Sequence, residues 1–342
     1  MRRFFFPLQD ASIYQQQPNT QAGLDEILDV GKSQFGQYII RSLLQFDLSS
    51  VSSSITSVVS SSIPFSASFD LKLFLANAEL LKLSQSVYLY PLSSSWEEGQ
   101  GYLYQEPYTE TDGTTWLQRS TGSLWVNTGS DFVLSPASFQ NSEKPIGDLT
   151  FDVTAFIQSW LSGTLPNNGF LIKFPDADEQ DITNAGKMSF FSGDTHTVFL
   201  PTLIAKWNDS TYSTGSLTAA PTTGLSVYPA NLRRTYKQSE IVRIDVVARP
   251  QYPLKTFTNQ FTLYDTQYLP SSSYYSVVDA QSKETVIPFD SCSIISVDTN
   301  SNFFNMAIER MFPGRYYKLM FKVITDGYEY IFDEDYVFTV AY

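Results

Sequence analysis

The stretch Phe151–Phe174, FDVTAFIQSWLSGTLPNNGFLIKF, decides how this chain is read. The carboxylate of Asp152 is suited to accept from the free amides of a first helical turn. Behind it Val153, Phe156, Ile157, Trp160 and Leu161 fall at offsets of 0, 3, 4, 7 and 8, a single stripe on a helix. Gly163 stands where such a helix needs a left-handed terminator. PNNG is a tight turn, and FLIKF has the short continuous apolar character of a buried strand. The stripe puts Phe156, Trp160 and Leu161 in a structural core and contains no nucleophile or base. The expectation is a helix that plugs one side of a β-sandwich.

The surroundings of that helix read as strands. Tyr38–Leu48 (YIIRSLLQFDL) is a strand for a sandwich interior. ASFDLKLFLANAEL sets Phe69, Leu71, Leu73 and Leu75 on one face against Asp70, Lys72 and Phe74 on the other. In QSVYLYP, Val87 and Leu89 oppose Tyr88 and Tyr90. The serine-rich run between the first two strands reads as a surface loop. Residues 97–147 read mostly as loop, with Tyr102, Tyr104, Tyr108, Trp116 and Trp125 in need of cover or a partner. Residues 1–36, broken by Pro18, Gly23, Gly31 and Gly36, read as an N-terminal arm, and 209–223, rich in Ser, Thr, Gly and Pro, as a linker. Six apolar segments with turn signals between them make 224–342 a smaller immunoglobulin- or fibronectin-like β-sandwich. The fold class is therefore mainly β: an arm, a jelly-roll-like sandwich with one short helix over 37–208, a linker, and a second sandwich.

Composition narrows the chemistry. Of 342 residues 42% are apolar, 15% aromatic and only 17% charged, and the net charge is −13. Residues 1–210 hold 11 Lys+Arg against 22 Asp+Glu, and the remainder 11 against 13. This sign argues against gripping nucleic acid. Cys292, the one cysteine, cannot make an intrachain disulfide, and the one histidine, His196 beside Asp194, cannot supply an ordinary zinc site. A phosphate loop and a dinucleotide fingerprint are absent. MRRFFFPLQD is too short in apolar residues for a signal peptide, and no stretch reaches membrane-spanning length, so no membrane partner is expected. Glu97–Glu98 and Asp333–Glu334–Asp335 are paired carboxylates of the kind a glycosidase uses, with solvated turns as the plainer reading. Asp176, Asp178 and Asp181 in PDADEQD offer hard oxygens for calcium, without the glycine and terminal glutamate of an EF-hand loop. Tyr102, Trp116 and Trp125 are the candidates for stacking on a sugar or for a protein interface. No cofactor and no catalytic residue is expected.

From Tyr38 to Trp207 the chain resembles the DNRLRE family, carbohydrate-binding-module-like β-sandwiches of cell-surface and phage proteins. The resemblance lies in RSLLQFDLS, ASFDLKLFL, VYLYPLSSSWEEG with Trp96 and Glu98, the TTWLQR…LWVNTGSDF stretch, the opening segment and FLPTLIAKW. The family's Gly-Gly pair is TGSD here. The run QAGLDEILDVGK and the late PGRYYKLMFKVITDGYEYIFD are similar to segments of tailed-phage structural proteins. The resemblance implies a non-enzymatic virion protein at the neck, tail or baseplate, or a capsid decoration. It would be assembled in the host cytoplasm and contact other virion proteins and copies of itself, partly through the arm. The alternative is an adhesin module that binds a host-surface glycan.

Overall fold

A computed structural model describes residues 1–33, 35–59, 67–104, 112–142, 147–252, 266–309 and 311–342. The chain is mainly β. It divides into two compact units. The larger holds Phe5–Ile63 and Ser68–Ile204; the smaller holds Met1–Phe4, Ala67 and Ala205–Tyr342. In chain order the strands up to the division are β1 (Arg2–Phe5), β2 (Gln9–Tyr14), β3 (Ile27–Ser33), β4 (Tyr38–Gln45), β5 (Ser68–Leu73), β6 (Leu75–Glu79), β7 (Gln85–Pro91), β8 (Gln118–Ser120), β9 (Ser123–Leu124), β10 (Ser138–Ser142), β11 (Leu149–Asp152), β12 (Phe170–Lys173), β13 (Lys187–Phe191) and β14 (Thr202–Lys206). Three helices are described: α1 (Leu48–Val59), α2 (Thr154–Leu161) and α3 (Asp176–Gln180).

In the larger unit one sheet runs β10-β7-β12-β4-β3-β13-β6, with β2 paired to β4, and another includes β14-β5-β11. The stretch 151–174 crosses between them. β11 pairs with β5, α2 follows, and β12 enters the first sheet between β4 and β7. On one face of β12, Phe170 meets the rings of Trp160, Phe156 and Phe46 at centroid distances of 4.8, 5.4 and 6.4 Å. Phe156, Ile157 and Trp160 are buried as their spacing requires, while Leu161 is 37% exposed. Leu161 is thus a correction: it ends the helix at the edge of the stripe and leaves the core. The cap differs by one position as well. Val153 occupies the N-cap, and Asp152 reaches past it to accept from the Thr154 amide at 2.9 Å. Gly163 has φ +73°, the left-handed terminator expected.

The other face of β12 is covered too. Leu171 packs with Ala11, Ile13, Leu43, Leu92, Trp96, Trp116 and Trp125. Residues 92–104 and 112–134 therefore supply a lid over the outer face of the sheet. Gly129 (φ +83°) shows how tightly: a Cβ there would lie 2.6 Å from the Trp116 ring. In β5 and β7 the alternation is as read, with Phe69, Leu71, Leu73, Val87 and Leu89 at most 1% exposed. It breaks at Phe74, which is buried while Leu75 is not, because β5 ends at Leu73 and β6 starts a different pairing.

Two elements correct the sequence reading. The serine-rich run holds a helix, α1, with Val51 and Ile55 fully buried one turn apart. Asp47 caps it by accepting from the amide and hydroxyl of Ser49 at 2.9 and 2.7 Å. Its serines send hydroxyls back to the carbonyl one turn earlier, as Ser53 does to Ser50 at 3.1 Å. The N-terminal segment is no free arm. β2 pairs with β4 along six residues, and β3 lies between β13 and β4. In the smaller unit Arg2 pairs with Asp290 and Arg3 with Glu309.

The smaller unit adds β15 (Leu225–Pro229), β16 (Thr235–Lys237), β17 (Ile241–Pro250), β18 (Ser273–Asp279), β19 (Thr285–Ile287), β20 (Ser296–Val297), β21 (Asn302–Ala307), β22 (Tyr316–Thr325) and β23 (Tyr328–Ala341). They form sheets β15-β17-β21-β20 and β16-β23-β22-β18-β19. Tyr275 of one stacks on Phe304 of the other at 3.9 Å between ring centres. The expected linker is ordered along this unit: Ser213 donates to Val297 and Ala220 to Tyr268, both at 2.9 Å. Most of the expected strand FTLYDTQYL, and Tyr108, lie outside the described residues.

Trp160→Ala should destabilise the larger unit by about 3–5 kcal/mol, the usual cost of a large-to-small core change. Urea unfolding followed by the fluorescence of the remaining tryptophans would measure it, and a cost near zero would contradict the packing of α2 on Phe170.

Candidate functional site

The acidic helix α3 is organised by a buried lysine. Lys173, on β12, is 1% exposed, and so its ammonium must be neutralised within the protein. Asp176 pairs with it from the helix start, and Glu179, also buried, lies 3.1 Å from it. Arg41 completes the group with two bonds to Glu179 at 3.0 and 2.7 Å. Asp178 and Asp181 hold Lys82 at 2.7 and 3.4 Å. The Lys173 ammonium keeps the Asp176 carboxyl below its ordinary range. The three candidate calcium ligands are thus each paired with a lysine, and the oxygen donors of this turn are spent on protein cations.

The aromatic candidates separate. Trp116 and Trp125 are 6% and 4% exposed, and the Trp125 indole donates to the Thr115 carbonyl at 3.0 Å. They face the sheet, which excludes them as a stacking platform for sugar. Tyr102 stays at the surface, 48% exposed. Asp333 and Asp335 pair with Lys318, and Glu334 accepts from the Tyr336 hydroxyl.

A cleft of about 380 Å³ opens in the larger unit beside β2, β3 and β13. Its floor is ionic. Asp29 accepts from Ser189 at 2.5 Å and from Tyr14 at 3.2 Å, with the Lys187 ammonium at 3.4 Å. Lys32 donates into the carbonyls of Glu179 and Asp181 at 2.5 and 3.3 Å; burial pushes its pKa down. Burial, and then the Asp29 charge, pushes the Tyr14 hydroxyl up. The rim is apolar and open: Phe35, Leu80 and Tyr104 line the cleft and are 87%, 69% and 84% exposed. A volume of this order with few convergent polar groups is what a small ligand needs.

A second group of polar residues was invisible in the sequence. Asp10 of β2, Glu98 from the loop after β7 and Asp194 from the loop after β13 each bring one carboxylate oxygen to within 4.8 Å of the others. Asp10 is 1% exposed. One of its oxygens, Oδ2, accepts from the Gly193 amide at 2.6 Å, and its own amide donates to Glu98 Oε1 at 2.7 Å. Burial first, then the neighbouring carboxylates, raises Asp10 to about 8 and Glu98 to about 7. Burial also raises Asp194, against the opposing pull of His196. Glu97, the sequence neighbour of Glu98, is exposed and takes no part. Residues 10, 98 and 194 are too far apart in the chain for any spacing signal.

No family model matches the chain, and no curated protein matches it. Among solved structures it is similar to a DUF4785 family protein from Legionella pneumophila (8% identity, TM-score 0.22, covering 99% of this chain and 62% of that one). It is also similar to β-glucuronidase 3 of Bacteroides uniformis (8%, 0.21, 88% and 26%) and to the adhesin domain of Epf from Streptococcus pyogenes (5%, 0.18, 99% and 91%). The chain thus spans less than two thirds of the first two. Scores near 0.2 identify no shared fold, so the residues themselves carry the functional reading.

Two outcomes follow from these charges. Glu179→Gln should destabilise the larger unit by about 3–5 kcal/mol in chemical denaturation, because Lys173 loses its buried partner. In chelator-containing buffer, thermal stability should fall as pH rises from about 4 to 8. The sign follows from Asp10 and Glu98 having folded pKa values above those of the unfolded chain, so that folding favours their protonated forms. Asp10→Asn should flatten that fall; a profile as steep as the parent's would place the titration elsewhere.

Proposed function

We propose that the protein is a non-enzymatic structural component of a tailed-bacteriophage virion, at the neck, tail or baseplate or as a capsid decoration, and that it works through protein–protein contacts. The observation that carries the reading is the surface of the β22–β23 hairpin. Tyr316, Ile331 and Val337 are 57%, 59% and 40% exposed. They share the outer face of the hairpin with Lys318 and Lys322, opposite the buried Phe321 and Val323, and exposed apolar groups interleaved with charge in this way mark contact sites. The likeness of PGRYYKLMFKVITDGYEYIFD to phage structural segments falls on the same hairpin. The acidic balance of residues 1–210 suits a surface turned away from packaged DNA.

Mass spectrometry of purified particles tests this. The chain should be present at a copy number matching a symmetry of the particle, and Ile331→Glu with Tyr316→Glu should lower its incorporation without lowering its melting temperature. Its absence from particles would end the virion reading.

The second reading, an adhesin module for a host-surface glycan, draws on the cleft. Phe35 and Tyr104 can stack on sugar rings while Asp29 and Lys187 bond hydroxyls. Because Trp125 is buried, the informative change is Tyr104→Ala, which should abolish glycan binding if this reading holds.

A further inference from the structure

We propose that Asp10, Glu98 and Asp194 bind a divalent cation of calcium's size, which fastens the first strand of the larger unit to the loops after β7 and β13. Three observations converge. The first is size. Calcium takes oxygens at about 2.3–2.6 Å, so two ligands on opposite sides stand roughly 4.6–5.2 Å apart. The three carboxylate oxygens all lie within 4.8 Å of one another, inside that span.

The second is an orphaned oxygen. Asp10 is 1% exposed, and its Oδ1 has no hydrogen-bond donor, while Oδ2 takes the Gly193 amide. A buried carboxylate oxygen is costly unless a cation or a proton meets it. The protein brings Gly193 close to hold this group: a Cβ on that residue would stand 2.7 Å from Asp10 Oδ2.

The third is the absence of a protein cation. Among the described residues no lysine or arginine pairs with Asp10, Glu98 or Asp194. The acids of the α3 turn, by contrast, have Lys173 and Lys82 beside them. Only exposed His196 bears on Asp194. Three hard oxygen donors without nitrogen or sulfur select calcium or magnesium over zinc or copper.

The test uses the full chain stripped with EDTA at pH 7.5. Calcium chloride should raise its melting temperature saturably, magnesium chloride less. Terbium should bind with luminescence that calcium displaces. Glu98→Gln and Asp194→Asn should remain folded by circular dichroism and lose both the shift and the luminescence. Asp194 is exposed, so its variant keeps the test readable if Glu98→Gln fails to fold. Asp178→Asn should keep both signals. The proposal is overturned if calcium moves neither signal in the parent, if both survive in the Glu98 and Asp194 variants, or if they vanish in Asp178→Asn. Stabilisation by low pH alone, with no response to calcium, would overturn it in favour of a shared proton.

Discussion

β12 is a strand with no solvent face, and most of the larger unit is arranged to make that tolerable. Its four residues, Phe170 to Lys173, are all buried. An ordinary sandwich strand shows one face to its partner sheet and the other to water. Here Phe170 requires α2 on one side, and Leu171 requires Trp96, Trp116 and Trp125 on the other. Lys173 adds an electrostatic demand: a desolvated ammonium needs carboxylates, and α3 is the short acidic turn that brings Asp176 and Glu179 to it. Glu179, once buried, then needs more than one cation, and Arg41 fills that place while its guanidinium lies over the Trp116 ring. Helix, lid and acidic turn are thus three consequences of one strand's position.

The two acidic groups of the larger unit show opposite solutions to one problem. Around α3 the charges are balanced by lysine and arginine, so the carboxyl of Asp176 is held low. Around Asp10 no such partner is supplied among the described residues, and its pKa rises instead. Composition alone could not separate them, because both are small sets of acids near turns. What separates them is the neighbouring strand: the α3 acids adjoin one that contains a lysine, whereas Asp10 sits in β2 among Ala11, Ser12 and Ile13, which offer no charge.

How much was legible follows from the same distinction between local and distant causes. The segment 151–174 could be read because cap, stripe, terminator and turn are all local signals, and they agree. Even so Leu161, at the margin of the stripe, turned outward. α1 was missed because serine favours caps and turns and weakens helix propensity; two buried residues one turn apart, Val51 and Ile55, outweighed it. The first 36 residues looked like an arm because β2 and β3 are short and Gly-broken, and their strand character comes from the pairing with β4. Trp116 and Trp125 looked available for a ligand because nothing local tells a loop that it covers a sheet. The Asp10 cluster was illegible for the strongest reason: its members meet only after three separate loops and strands have been placed.

The cleft and the hairpin divide the functional argument by the state of their polar groups. In the cleft, Asp29 accepts from Tyr14 and Ser189 with the Lys187 ammonium beside it, which holds the carboxylate in place and leaves it acceptor capacity for a ligand hydroxyl. On β22–β23 the lysines are likewise engaged, Lys318 with Asp333 and Asp335 and Lys322 with Glu329. Between those charges on the same face the exposed groups include the apolar Ile331 and Val337. Surfaces whose charges are internally paired and whose apolar groups are not gain by covering area.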